Sequence, residues 1–392
     1  MSNFCIVSEF NPLHNGHKYL LDRARELGSD ATVCIMSGNT TQRGELAITD
    51  KYLRARAALE CGADLVLELP YPWCSASADY FATASTYIAS FFGDTIFFGC
   101  ECGDIEKIEN AADFCESQEF MQLYQKKLEG GMGAAAAYLE CLEEKGFGVF
   151  SSNDLLGISY LRAIKRNSLK LCALTTQRLG AAYNEKKELD DAFQSASALR
   201  IIAESGDIER IRDHVPEPMW RILKQEANEG RLTNMSELDA ALLCYFRLRD
   251  PSDFSDIAES GGGIVNRICS AARESVTLDE MLEKVKTKRY TDAKLRRAIL
   301  YCMTGTKRQL LDCLPQYTLL LAANQKGREL LAKNKKNGGI CVVTKPADAP
   351  DKSEQFRQNQ ALDSLYGLAR KNKYGANEFL RKNAYIEINE KT

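Results

Sequence analysis

Short apolar runs rich in β-branched and aromatic residues fall at 4–8, 32–36, 64–69 and 95–99, and each precedes a longer stretch with helical periodicity. That alternation predicts a parallel sheet flanked by helices, an α/β Rossmann-like arrangement. Within 48–61, Tyr52, Leu53, Ala57 and Leu59 recur near the helical repeat, and Gly62 stops the helix beyond its end. Another strand is expected at 169–174, after a helical insertion over about 104–166. From 198 to about 304 helical patterns dominate, interrupted at Gly261-Gly262-Gly263, and shorter elements follow at 317–322, 326–335 and 340–344.

A chain of 392 residues exceeds what one core usually organises, roughly 250 to 300 residues. Two domains are therefore expected: a Rossmann-like unit at 1–205 and a mainly helical unit at 206–392. Their charges differ. Residues 1–200 carry 19 basic and 27 acidic side chains, net −8, and residues 201–392 carry 32 and 27, net +5, so the overall −3 hides an asymmetry. Fourteen cysteines are scattered without a CxxC pair, which fits a reducing compartment better than a disulfide framework. Cys100 and Cys102 are close, but with three histidines in the chain no metal site is expected there. The amino terminus lacks a basic n-region and a long apolar run, so the expectation is a cytoplasmic protein with no membrane segment. Trp73, Trp220 and the run 242–246 are expected in the core and His214 in a structural role.

The first strand opens into Val7-Ser8-Glu9-Phe10-Asn11-Pro12-Leu13-His14-Asn15-Gly16-His17-Lys18-Tyr19-Leu20. In an open parallel sheet, ligands bind beyond the carboxyl ends of the strands, and a helix start there offers free N–H groups to anions. Gly16 lets the backbone come close to a phosphate, and imidazoles at His14 and His17 can stabilise charge that develops at phosphorus. The plainer alternative is two histidines that only cap a helix. Ser37 to Glu45 is polar and is expected as a loop over the site, with Lys51, Arg54 and Arg56 starting the next helix; Arg43 could serve a phosphate, an RNA or a surface ion pair.

His14-Asn15-Gly16-His17 after a first strand resembles the HxGH signature of the nucleotidylyltransferases. A narrower resemblance rests on further segments: Ser37-Gly38-Asn39 with Gln42-Arg43-Gly44-Glu45, Glu68-Leu69-Pro70-Tyr71-Pro72, Phe98-Gly99-Cys100-Glu101-Cys102-Gly103-Asp104, Asn153-Asp154-Leu155-Leu156-Gly157 and Thr176-Gln177-Arg178. Together they are similar to the bacterial tRNA(Met) cytidine acetate ligase family. Leu13, Thr40-Thr41 and Ser151-Ser152 depart from that pattern without removing a charged or catalytic group. The resemblance implies that ATP activates acetate as acetyl-adenylate, with Mg²⁺ accompanying ATP, and that the acetyl group passes to the exocyclic amine of the wobble cytidine of elongator tRNA(Met). It implies an ATP site formed by Val7 to Leu20, with His14 and His17 at the phosphates as the catalytic residues, and by Gly99 or Gly103, Asn153 and Arg178. Ser195, Ser197 and Arg200 resemble a phosphate loop of the superfamily, although a serine N-cap followed by a salt-bridging arginine accounts for them equally well.

Between Lys284 and Lys336 fourteen basic side chains face three acidic ones. Lys288, Arg289, Arg296 and Arg297 are the expected tRNA contacts, with Tyr290 and Tyr301 nearby as stacking candidates and a second basic cluster at Lys326, Arg328, Lys333, Lys335 and Lys336. Two other functions stay open at this level, a small-molecule adenylyltransferase with a basic appendage and an RNA-binding module with an inactive nucleotide pocket.

Overall fold

The computed structural model describes residues 2–178, 195–287, 290–346, 349 and 353–387. Strands and helices alternate at first: β1 (Asn3–Ser8), α1 (Asn15–Glu26), β2 (Ala31–Ser37), α2 (Lys51–Glu60), β3 (Leu65–Leu69), α3 (Ala78–Ala89) and β4 (Thr95–Cys100). Four helices, α4 (Ile105–Cys115), α5 (Gln118–Glu129), α6 (Ala134–Glu144) and α7 (Ser152–Arg166), lead to β5 (Cys172–Gln177). A helical series follows: α8 (Ala196–Glu204), α9 (Glu217–Asn228), α10 (Asp239–Arg247), α11 (Ile264–Glu274), α12 (Leu278–Val285), α13 (Asp292–Thr304) and α14 (Arg308–Leu311). The chain ends with β6 (Tyr317–Ala323), α15 (Gln325–Lys336), β7 (Cys341–Val343), α16 (Glu354–Leu368), α17 (Glu378–Arg381) and β8 (Tyr385–Ile386).

The strands form one sheet in the order β5-β4-β1-β2-β3-β6-β7, with β8 also against β6. Strands β1 to β5 run parallel. Every residue of β2 and β3 is buried, which explains why their sequences are apolar runs with little alternation. The chain adds β2 and β3 on one side of β1, then crosses to place β4 and β5 on the other. This reversal splays the loops apart and opens a crevice at the carboxyl ends of β1 and β4.

Strand β5 begins three residues later than the sequence pattern suggests. The amides of Asn167, Ser168 and Leu169 are still bonded to the carbonyls of Ala163, Lys165 and Ile164, so they finish α7 and are not free to pair in a sheet. Only at Cys172, opposite Thr95, does the ladder start.

The expected division at residue 205 falls at the end of α8 along the chain, yet it is not an edge of the sheet. Strand β6 lies antiparallel to β3, and the Thr318 hydroxyl donates to the Glu68 carbonyl at 2.7 Å. One hydrophobic core runs from Phe4 to Phe379 and includes Trp73, Trp220, Leu242 and Phe246. His214 is buried as well. No helix among the described residues is long and apolar enough to cross a membrane.

A buried ionic cluster joins the two ends of the chain. Lys51 Nζ lies 2.8 Å from both Glu68 Oε1 and Asp363 Oδ2, with the lysine and Glu68 fully enclosed. Asn39 Nδ2 donates to Asp363 Oδ1 at 2.7 Å, and Asn359 Nδ2 to Glu68 Oε2 at 3.2 Å. Burial alone pulls the Lys51 pKa down, but the two carboxylates outweigh it and hold the amine charged. Removing one member leaves uncompensated buried charge, whereas an exposed pair contributes little. Lys51→Met is therefore expected to lower unfolding free energy in a urea titration by about 3–5 kcal/mol. Lys165→Met, at the exposed pair with Asp113, should change it by less than about 1 kcal/mol. Similar losses in the two variants would contradict the structural role of the cluster.

Candidate active site

At the carboxyl end of β1 the backbone turns sharply. Phe10 adopts φ 46°, a left-handed conformation that costs a non-glycine residue energy and is held here by the burial of its ring. Asn11 is locked from two sides: its Oδ1 accepts the Ile48 N–H at 2.7 Å and its carbonyl accepts Arg200 Nη1 at 2.9 Å. Val7, Pro12 and Leu13 pack around the turn and shape it.

His14 is the N-cap of α1, and with His17 it forms a reciprocal capping box. The Gly16 N–H donates to His14 Nδ1 at 3.1 Å, and the His14 N–H donates to His17 Nδ1 at 3.2 Å. The rings stack with centroids 3.8 Å apart, and Phe10 closes edge-on over His17 at 5.1 Å. Capping and ligand binding are thus not alternatives. Because each Nδ1 accepts a backbone N–H, each neutral ring carries its proton on Nε2, and that Nε2–H is the donor left over for a ligand. Burial, helped by the Arg178 charge, drops the His14 pKa to about 3, and burial followed by the neighbouring His14 and Arg178 depresses His17 too. Both imidazoles are neutral donors near pH 7.

Other expected residues distribute unevenly around this start. Lys18 pairs with Asp22 along α1, and Asn15 Nδ2 donates to the Asp213 carbonyl at 2.8 Å; Tyr19 and Leu20 are half-buried on the helix. Ser8 is buried. Glu9 accepts the Gln42 N–H at 2.7 Å, and its pKa is raised by burial against the opposing effects of that bond and of Arg200 and Arg43.

Across the crevice, Glu101 follows β4 and gathers three donors: Asn153 Nδ2 at 2.6 Å, Arg178 Nε at 3.3 Å, and the Ser151 hydroxyl. Asp154 fixes this loop by accepting the N–H groups of Glu101 at 2.9 Å and Cys102 at 3.1 Å. Gly99 and Gly103 both make room for the end of β5. A Cβ on Gly99 would lie 3.0 Å from Arg178 Cγ, and one on Gly103, whose φ is +65°, would lie 3.2 Å from Gln177 Cβ. The start of α8 closes the third side. Ser195 caps the helix, and Arg200 donates to Ser197 Oγ at 3.2 Å and to Glu45 Oε2 at 2.5 Å. Arg200 therefore binds the β1 turn, Glu45 and the first turn of its own helix at once, which fits the salt-bridging alternative as well as the phosphate loop.

Sequence reasoning missed the carboxylates Glu45 and Glu101 and the buried Arg54 as organisers. Both glutamates lie inside segments that the family resemblance singled out, but nothing in their spacing signals an ion-pair partner.

The turn after β2 links the crevice to the basic helices. Thr40 and Leu46 bridge its base, and Gly44, at φ +73°, packs so tightly that a Cβ would fall 2.7 Å from the Arg297 nitrogen. Arg297, expected at tRNA, is instead buried against Glu259 at 2.9 Å, with Nη1 3.4 Å from the Gln42 carbonyl. Its charge is taken up inside the fold. Arg296 is only half-buried, as is Lys294, which lies over the Tyr290 ring at 5.4 Å. Tyr301 is fully buried and unavailable for stacking. Lys288 and Arg289 lie outside the described residues. The second basic cluster begins at the opposite end of the parallel strands, where Lys326 Nζ donates to the Asp30 carbonyl at 2.6 Å just before β2. The basic segment is therefore not one continuous face.

Comparison with known proteins follows the same lines. The HIGH Nucleotidyl Transferase family profile matches residues 1–379. A tRNA(Met) cytidine acetate ligase of Clostridium perfringens is 32% identical over 371 residues, 89% of this chain and 90% of that protein. The Thermotoga maritima protein of the same name is 34% identical over 361 residues, 86% of this chain and 85% of its own length. The crystal structure of Thermotoga maritima TmcAL bound with alpha-thio ATP superposes with a TM-score of 0.88 at 29% identity, covering 98% of this chain and all of that one. By sequence along nearly its whole length and by fold, the chain belongs to the HIGH nucleotidyl transferase family, among the tRNA(Met) cytidine acetate ligases.

Proposed function

We propose that this protein is an ATP-dependent ligase that activates acetate as acetyl-adenylate and acetylates the exocyclic amine of the wobble cytidine of elongator tRNA(Met). The observation that carries this is the pair of neutral, Nε2-protonated imidazoles at the start of α1, seated where β1 and β4 diverge. In the first step an acetate oxygen attacks the α-phosphorus, the α–β P–O bond breaks, and pyrophosphate leaves. His14 and His17 donate from Nε2 to oxygens that gain charge, and the positive end of the α1 dipole adds to the same field. In the second step the cytidine nitrogen attacks the acetyl carbonyl, AMP leaves, and the amine proton passes to solvent.

Arg178 and Asn153, grouped by Glu101, stand where they can hold the rest of the nucleotide, and Arg200 stands at the opposite wall. Magnesium bound to the triphosphate would neutralise charge during the attack. The carboxylates Glu9, Glu45 and Glu101 all have protein donors, so the chain's fit to magnesium is through the nucleotide's phosphates and not through a cage of its own. Arg296, which packs against the Gly44 turn, suits an RNA substrate better than a small molecule, since basic side chains follow a phosphate backbone.

Incubation of the protein with ATP, labelled acetate and total tRNA, followed by nucleoside digestion, should place the label on N4-acetylcytidine from tRNA(Met). Label elsewhere, or product formed from acetyl-CoA without ATP, would contradict the proposal. His14→Ala and His17→Ala should each slow acetate-dependent ATP–pyrophosphate exchange by about 10² to 10³, the usual effect of losing one preorganised donor. Wild-type exchange rates in both variants would remove the histidines from the mechanism.

A further inference from the structure

Arg43 occupies the tip of the turn that joins the crevice to α13. The turn is fixed at both feet. On one side Gln42 donates to Glu9 and Glu45 holds Arg200, and on the other Gly44 rests on the backbone of Arg296 and Arg297. Between these anchors the Arg43 side chain is exposed, and no ion pair or hydrogen bond engages its guanidinium among the described residues. The Gln42 N–H beside it donates to Glu9 at the end of β1, which places the turn at the crevice.

We infer that Arg43 holds a backbone phosphate of the RNA nucleotide entering the crevice, an inference that rests on the ligase reading above and adds a substrate-binding residue to it. A guanidinium suits this role because its planar fork of donors matches two phosphate oxygens. Phosphate could come from ATP or from RNA. The inward cation at this turn is supplied by α8: Arg200 pairs with Glu45 and donates to the Asn11 carbonyl of the β1 loop. Arg43 is exposed on the turn itself, whose next residue, Gly44, packs against Arg296 in the first half of α13. The RNA backbone is therefore the source assigned. The rigid seat of Gly44 matters here: with the turn clamped between Glu9 and α13, the arginine tip keeps a fixed offset from the imidazoles that hold the adenylate.

The test compares Arg43→Ala and Arg43→Lys with the wild-type full chain in two assays. Acetate-dependent ATP–pyrophosphate exchange without RNA should keep its KM for ATP in both variants, which also shows that they fold. In tRNA acetylation, Arg43→Ala should raise the KM for tRNA about tenfold, and Arg43→Lys should fall between. The dependence of log KM on log salt should become shallower by about 0.7 to 0.9 in Arg43→Ala, the share of one phosphate contact. A raised KM for ATP with unchanged KM for tRNA would assign the arginine to the nucleotide and overturn the inference. Unchanged values in both assays would overturn it too, leaving the ligase activity intact. Absence of acetate-dependent exchange in the wild type would remove the ligase reading itself, and this inference with it.

Discussion

The crevice depends on one buried cation. Arg54, in the second turn of α2, has no exposed surface, and its guanidinium donates to backbone carbonyls: Nε to Thr49 at 3.0 Å, Nη1 to Ser37 at 3.3 Å and to Glu9, and Nη2 to Gly38. Glu9, Ser37 and Gly38 are the points at which β1 and β2 leave the sheet, where ladder partners end and buried carbonyls would otherwise stay unpaired. One planar fork satisfies them together, a geometry that a lysine's point charge cannot reproduce. Burial lowers the Arg54 pKa, while the fields of Tyr366, Asp50 and Glu9 oppose that effect. With the ends of both strands tied to α2, the Phe10–Leu13 turn and the N-cap of α1 inherit a fixed position.

Around that frame the charges are arranged in balanced pairs. Arg178 faces Glu101 and Arg200 faces Glu45, so each guanidinium is oriented before any ligand arrives, while the two imidazoles contribute donors without net charge. Neutral donors avoid the self-repulsion that two stacked imidazolium rings would suffer. The same burial has a consequence for stability. In the unfolded chain a histidine titrates near 6.5, whereas His14 in the fold titrates at about 3. Between those values the unfolded chain binds more protons, so the contribution of this residue to stability is full above the unfolded value and declines as pH falls through the window.

Much of this was legible in the sequence because it follows from local patterns. Apolar runs and helical repeats located β1 to β4, and His14-Asn15-Gly16-His17 marked the start of α1. What was not legible depends on partners far along the chain. Lys51 and Arg54 look like surface residues on an amphipathic helix, but residues from 9 to 363 complete their burial. The same holds for Arg297: a count of basic residues cannot see that Glu259 and the Gln42 carbonyl enclose it. The join of β6 to β3 was hidden for a related reason, since an antiparallel strand added from 250 residues away leaves no trace in the periodicity of either strand. The α15 cluster was counted with α13 because charge density along a chain carries no direction in space.

The central claim is that two neutral imidazoles, protonated at Nε2, present preorganised donors to the phosphates of ATP. Nitrogen-detected NMR of histidine-labelled protein reads tautomer, titration and contact together. The account predicts that His14 and His17 show the Nε2–H tautomer, stay neutral on acidification from pH 7 to about pH 5, and shift their Nε2 resonances when ATP is added. Titration of either ring near the ordinary histidine value, or resonances indifferent to ATP, would contradict it.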